Sequence, residues 1–228
     1  MFAVAEVVPL FPLNHVLLPG MPLPLHVFEQ RYRDLVDDID APGARRAFGV
    51  VALRSGTEAA ARQLRPTDPD VEPVGTLAEV LELERGADGT SDLLCVGSRR
   101  FRVLELIRQG RRYLRAAVEF LPEDDGDATP EQQQRARELI GLYDAALTRL
   151  AGRATGDRLP ADATGLSFRI AARLPLTPPD RQALLADDDA ASRLAHVAAL
   201  TRRELILLQR TRSIAVAPSV LRIAAGVN

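Results

Sequence analysis

The apolar residues of this chain change their period once, near residue 122, and that change divides what it can fold into. Up to about residue 121 the apolar runs are short, tend to alternate with polar residues and are separated by turn residues, as strands require; from residue 130 they recur at three and four, as helices require. The strand signals cover 5–10, 23–27, 47–53, 74–84, 92–96, 100–107 and 112–121. In the last of these, Leu114, Ala116, Val118 and Phe120 alternate with Arg115, Ala117 and Glu119, so one face packs and the other is wet. Within 100–107 the apolar parity switches at Val103 and Leu104, which predicts a bulge that bends the strand. Gly86-Ala87-Asp88-Gly89, Gly97-Ser98 and Gln109-Gly110 read as turns between strands. A single helix interrupts this half, because Phe28, Tyr32, Leu35, Val36 and Ile39 share a helical face; it is expected to lie against the sheet or close its end as a lid.

The second half opens on an acidic, turn-rich linker, 122–129, and on Thr129-Pro130-Glu131-Gln132, a capping box with proline at the first helical position. The helix that follows carries Ala136, Leu139, Ile140, Tyr143, Leu147 and Leu150 on one stripe and is expected to stop near Gly152. Three more helices are expected over about 166–174, over 178–186 with Thr177 as cap, and over 190–212 with a cap within Asp187-Asp188-Asp189. Pro175 and Pro178 keep the first two of these apart. The expected class is therefore α+β, with a β-rich subdomain over 1–121, a linker over 122–129, a helical subdomain over 130–212 and a tail over 213–228.

The residue inventory excludes several kinds of chemistry. Basic and acidic residues nearly cancel, 29 against 31, so no global field draws the chain to nucleic acid or anionic lipid. There is no lysine at all, and both a phosphate-binding Walker A loop and a Ser-Lys dyad need one. His15, His26 and His196 are isolated from one another, with no zinc spacing, no calcium-loop pattern and no G-x-S-x-G nucleophile elbow. The expectation is a protein that is not an enzyme and takes no cofactor or metal. The lone cysteine, Cys95, reads as a buried small hydrophobe rather than a reactive thiol. Pro9, Pro12, Pro19, Pro22 and Pro24 break up the apolar start, and no stretch reaches the roughly 20 apolar residues that span a bilayer, so a cytoplasmic protein without a membrane partner is expected.

Several short motifs occur in a fixed order. Val8-Pro9-Leu10-Phe11-Pro12-Leu13 and Leu18-Pro19-Gly20-Met21-Pro22-Leu23-Pro24-Leu25-His26-Val27-Phe28-Glu29-Gln30-Arg31-Tyr32 open the chain. Phe48-Gly49-Val50-Val51, Val74-Gly75-Thr76-Leu77-Ala78 and Gly97-Ser98-Arg99-Arg100-Phe101-Arg102-Val103 follow, then Ser167-Phe168, Leu174-Pro175-Leu176, Gln182-Ala183-Leu184-Leu185 and Arg193-Leu194. Together they resemble the N-terminal, substrate-recognition domain of Lon proteases, with Gln30 standing where that family often has proline. The resemblance implies a PUA-like β-barrel followed by a helical bundle, here in free-standing form. It also implies binding of unfolded or extended polypeptides, with a separate ATP-dependent protease as the partner such a module would serve.

Phe11, Pro12, Leu13, Met21, Pro22, Leu25, Phe28 and Tyr32 form the densest apolar set, and they are the candidate peptide-binding residues. Arg31, flanked by Glu29 and Asp34, joins them as a group that can orient a bound chain terminus, although an ion pair on a solvated helix face is the plainer reading. The plainer reading of the apolar residues is likewise core and turn. An alternative site is the arginine-rich hairpin, where Arg99, Arg100, Arg102, Arg111 and Arg112, with Arg108 and Arg115, face one acid, Glu105, and suit an RNA or another anion. Against nucleic acid stand an aromatic fraction of only 4% and the absence of tryptophan for base stacking. A structural assembly partner is the third reading.

Overall fold

The computed structural model describes residues 5–54, 70–151 and 158–211; the expected helix end at Gly152 and the tail over 213–228 lie outside the described residues. The chain divides into two compact units, Met1–Pro122 and Glu123–Asn228. Six strands and five helices are described, a mixed α+β composition.

The first unit runs β1 (Glu6–Leu13), β2 (Pro22–Val27), α1 (Gln30–Ile39), β3 (Ala47–Ala52), β4 (Val74–Arg85), β5 (Ser91–Ile107) and β6 (Arg115–Phe120). Their order in the sheet is β2-β5-β4-β3-β1-β6, and β6 pairs with β5 as well as with β1. The ladder β5-β4-β3-β1-β6 therefore returns to β5. Every pairing is antiparallel except β1 with β3.

β5 is one strand of 17 residues where two were expected, and the reason lies at Gly97-Ser98. Thr76 pairs with Arg100 and Ala78 with Gly97, so Ser98 and Arg99 together stand opposite Leu77. That is a bulge rather than a turn: one extra residue bends the strand without ending it. The Ser98 hydroxyl donates to the Leu77 carbonyl at 3.1 Å. The irregularity expected at Val103 and Leu104 is present, since Val103 pairs with Val118 and Glu105 with Ala117, leaving Leu104 unmatched and 52% exposed.

Glycines in this sheet make room for what packs on it. Gly75 lies directly across from Phe101, whose ring is fully buried. A Cβ on Gly49 or on Gly75 would come within 2.7 Å of that ring, and one on Gly75 would also meet the Val50 carbonyl oxygen at 2.5 Å. A Cβ on Gly97 would collide with the Leu18 carbonyl oxygen. A second cluster joins Tyr32, Leu35, Val36 and Ile39 of α1 to Phe11, Leu23, Phe48 and Cys95, so α1 is part of the core and not a lid over it. Phe28 is not on that face; it precedes the helix cap Glu29 and is 52% exposed.

The second unit holds α2 (Pro130–Ala151), α3 (Ala163–Arg173), α4 (Pro178–Ala186) and α5 (Ala190–Thr211). Their starts are fixed by the caps that the sequence supplies. Thr129 and Gln132 bond reciprocally, the Thr129 N–H to Oε1 at 2.9 Å and the Gln132 N–H to Oγ1 at 3.2 Å. Asp162, Thr177 and Asp189 accept from Gly165, Asp180 and Ser192 at the other three. These bonds satisfy backbone donors that the first turn of a helix leaves open. Arg193, fully buried in α5, ties the unit together. Its Nε donates to Ser167 Oγ at 2.9 Å, its Nη1 to the Asp187 carbonyl at 3.1 Å, and its guanidinium lies 4.1 Å from the centroid of the Phe168 ring. Its Nη2 faces the Glu123 carboxylate at 3.8 Å, an ion pair longer than a hydrogen bond. A buried guanidinium holds position this way only when most of its donors are used.

Two glycine substitutions should move stability in opposite directions. Gly75→Ala forces a methyl against backbone and ring, and should lower the unfolding free energy by about 1–3 kcal/mol. Gly141→Ala, on α2 where a Cβ meets nothing within 4 Å, should raise it by about 0.5–1 kcal/mol. Denaturant midpoints of the two variants check both signs.

Candidate functional site

The end of β1, the end of β2 and the first turn of α1 converge on one opening. β1 delivers Phe11 inward, and the first turn of α1 brings Tyr32 onto it, the two rings stacking with centroids 3.9 Å apart and planes 13° from parallel. Phe48 stands behind Phe11 at 5.7 Å. The Arg31 guanidinium lies 4.5 Å from the centroid of Tyr32, and its Nε donates to Glu29 at 3.0 Å. Glu29 itself takes an extended conformation as the cap residue, which turns the chain from β2 into the helix.

Beside this stack is an opening of about 270 Å³ lined by Phe11, Pro12, Leu13, Asn14, Leu25, His26, Val27, Phe28, Glu29, Arg31 and Tyr32. Seven of the nine candidate peptide-binding residues are among them: Phe11, Pro12, Leu13, Leu25, Phe28, Arg31 and Tyr32. Met21 is half-buried against the α1 core cluster, and Pro22 is exposed at the start of β2; neither lines the opening. Arg31 pairs with Glu29 and not with Asp34, which instead accepts from Gln30 at 2.7 Å.

Asn14, His26, Val27 and Glu29 also line the opening but were not among the candidates. Asn14 differs from the rest, because both its Nδ2 and its Oδ1 are shielded from solvent and have no hydrogen-bond partner among the described residues. The sequence signal for it is slight: one polar residue directly after an apolar strand. His26 Nδ1 lies 2.7 Å from Asp92 Oδ1 in an exposed pair, which contributes little to stability.

The hairpin arginines stand in different surroundings. Arg100 is buried, and the Arg99 guanidinium lies 4.1 Å from the centroid of Phe120. Arg102 is half-buried and stands across from Glu119. Arg111 reaches Asp38 at 3.3 Å and Arg112 reaches Asp34 at 3.8 Å, both on α1. The acids that answer this hairpin thus come from a helix some seventy residues earlier in the chain, outside the local window in which Glu105 was the single acid. Among the described residues no group of three or more His, Cys, Asp or Glu side chains is placed to hold a metal ion, and no helix is long and apolar enough to cross a membrane.

The family profile described as ATP-dependent protease La (LON) substrate-binding domain matches residues 7–203. The chain is 31% identical to Lon protease 2 of Syntrophobacter fumaroxidans over 208 residues, covering 88% of this chain and 25% of that protein. It is 33% identical to the Lon protease of Paraburkholderia phytofirmans over 192 residues, covering 81% of this chain and 22% of that protein. The chain spans about a quarter of the length of these curated relatives. Among solved structures, a Lon N-terminal domain protein from Xanthomonas campestris superimposes with a TM-score of 0.62 at 31% identity, covering 85% of this chain and 98% of that one. The N-terminal domain of the Mycobacterium avium complex Lon protease shares the fold with a TM-score of 0.59, at 20% identity and covering 86% of this chain and 98% of that one.

Burial pushes the Tyr32 hydroxyl up to about 12, with Arg31 opposing the shift and Glu29 adding to it. Tyr113, buried and bonded to Asp38, and Tyr143, buried in α2, are also raised to about 12. Each unfolded tyrosine ionises near pH 10, so their contribution to stability is fully present below that pH and is lost as pH rises toward 12. No lysine titrates in the same window. An alkaline titration followed by tyrosinate absorbance and circular dichroism should show the three tyrosines ionising together with unfolding, well above pH 10; ionisation near pH 10 of a chain that stays folded would contradict the burial.

Proposed function

Because the chain belongs to the Lon substrate-binding domain family, we propose that it binds unfolded or extended polypeptide, without altering it, at the opening between β1, β2 and α1. One observation carries the site: an exposed aromatic ring, Phe28, and a stacked, buried pair, Phe11 and Tyr32, line the same concave opening. Its volume of about 270 Å³ is at or below the lower end of small-ligand pockets, which suits one or two apolar side chains better than a cofactor. Lining of this kind recognises apolar character and not a particular sequence, which is what a receptor for unfolded chains needs.

On this reading the captured polypeptides are handed on to ATP-dependent proteolysis; the support is that the relatives matched over this region are themselves Lon proteases. The returning strand ladder and the four helices support the PUA-like barrel and helical bundle of the resemblance. A single buried cysteine suits a cytoplasmic setting.

To test the function, the protein is titrated with a reduced and alkylated polypeptide and with a structured RNA, at low and moderate salt. Polypeptide binding that persists at moderate salt is expected, since apolar capture lacks the steep salt dependence of phosphate contacts. Salt-sensitive RNA binding with no response to polypeptide would transfer the function to the arginines, and a stable complex with one folded protein alone would make the chain an assembly partner. Phe28→Ser, at an exposed position, should leave folding intact and weaken polypeptide binding about tenfold.

A further inference from the structure

β2 is paired with β5 alone among the described residues, so its other edge is the natural place for an extended chain to add as a strand. Its sequence works against that. The Met21 carbonyl accepts from the Gly97 N–H, and backbone direction alternates along a strand, so Leu23, Leu25 and Val27 turn their amides toward β5 while Pro22, Pro24 and His26 turn outward. Proline has no N–H, and only His26 has a donor left on that edge. An incoming strand would find its carbonyls opposite proline rings.

A partner for a main chain stands elsewhere in the lining of the opening. Asn14 lines the same opening, with a donor and an acceptor that bond to nothing among the described residues. A carboxamide presents an acceptor beside donors, the complement of the N–H and C=O of an extended chain. Because neither atom forfeits a hydrogen bond when the side chain rotates, turning it toward a ligand costs only local packing.

We propose that Asn14 reads the main chain of the captured segment, Oδ1 accepting from a peptide N–H and Nδ2 donating to a peptide C=O, beside the apolar side chain that enters between Phe28, Leu25 and the Phe11–Tyr32 stack. The assignment rests on the polypeptide-binding reading and narrows it. The substrate class is a segment whose amides are free, one that is extended and unpaired, with a single apolar anchor and no further sequence requirement. Chains already in helix or sheet, their amides engaged, are passed over.

The probe is a Gly-Ser peptide with one central leucine, compared with the same peptide N-methylated at the leucine and at the residue after it. The wild-type protein should bind the unmodified peptide about tenfold more tightly than the methylated one. Asn14→Leu, close in shape and without the orphaned amide, should be at least as stable as the wild type, should bind the unmodified peptide about tenfold more weakly, and should no longer distinguish the two peptides. Equal affinity of the wild type for both peptides overturns the assignment without any variant. Reduced stability of Asn14→Leu overturns it too, since Asn14 would then serve the turn, and so does wild-type discrimination surviving in that variant. If Phe28→Ser weakens binding and Asn14→Leu does not, the Asn14 assignment alone falls. If the wild type binds neither peptide nor an unfolded chain, the polypeptide-binding reading falls with it.

Discussion

A strand has only two edges, and β5 has three neighbours. It serves all three by dividing its length: Ser91–Val96 lies between β2 and β4, and Phe101–Ile107 meets β6 while β4 reaches as far as Arg102. Such a division requires the strand to bend, because neighbours at its two ends lie in different directions. The bend is made at the extra residue of Ser98-Arg99 and again at Leu104. Phe101 sits between these bulges and fills the space over Gly49 and Gly75. The glycines, the bulges and the ring are thus one device, and the closing of the ladder through β6 depends on it.

The opening follows from the same division. Since β6 takes the later part of β5, β2 is left on the earlier part with one free edge, and the chain must return from that edge into α1 through Phe28 and Glu29. The return leaves Phe28 outside the core while Tyr32, one turn into the helix, is carried into it against Phe11. A polar orphan at Asn14 then lies beside an aromatic surface, and its amide, unpaired among the described residues, contributes no hydrogen bond to the fold.

Much of this was legible in the sequence, for local reasons. The strand from Arg115 shows its alternation directly, and Thr129, Asp189 and Thr177 announce their helices through short-range hydrogen bonds. The parity switch at Val103 and Leu104 betrays a bulge because a bulge reverses which residues face inward. What was missed depends on partners distant in sequence. Gly97-Ser98 reads as a turn until Leu77 and the Leu18 carbonyl are seen against it. Phe28 fits the helical stripe by spacing, yet the helix starts two residues later. The acids that answer Arg111 and Arg112 lie on α1, out of view of the local sequence. Seven of the candidate apolar and arginine residues fall around one opening because strand and helix are joined by a short return; Asn14 gave no such pattern.

Cys95 occupies the part of β5 flanked by Leu23 and Val80, fully buried, with burial pushing its thiol up to about 12. Alkylating reagents attack the thiolate, so the native ladder hides its one reactive sulfur twice, by cover and by protonation. Modification of Cys95 therefore reports opening of the sheet around it, and where reclosing outpaces the reagent its rate follows the population of the opened state.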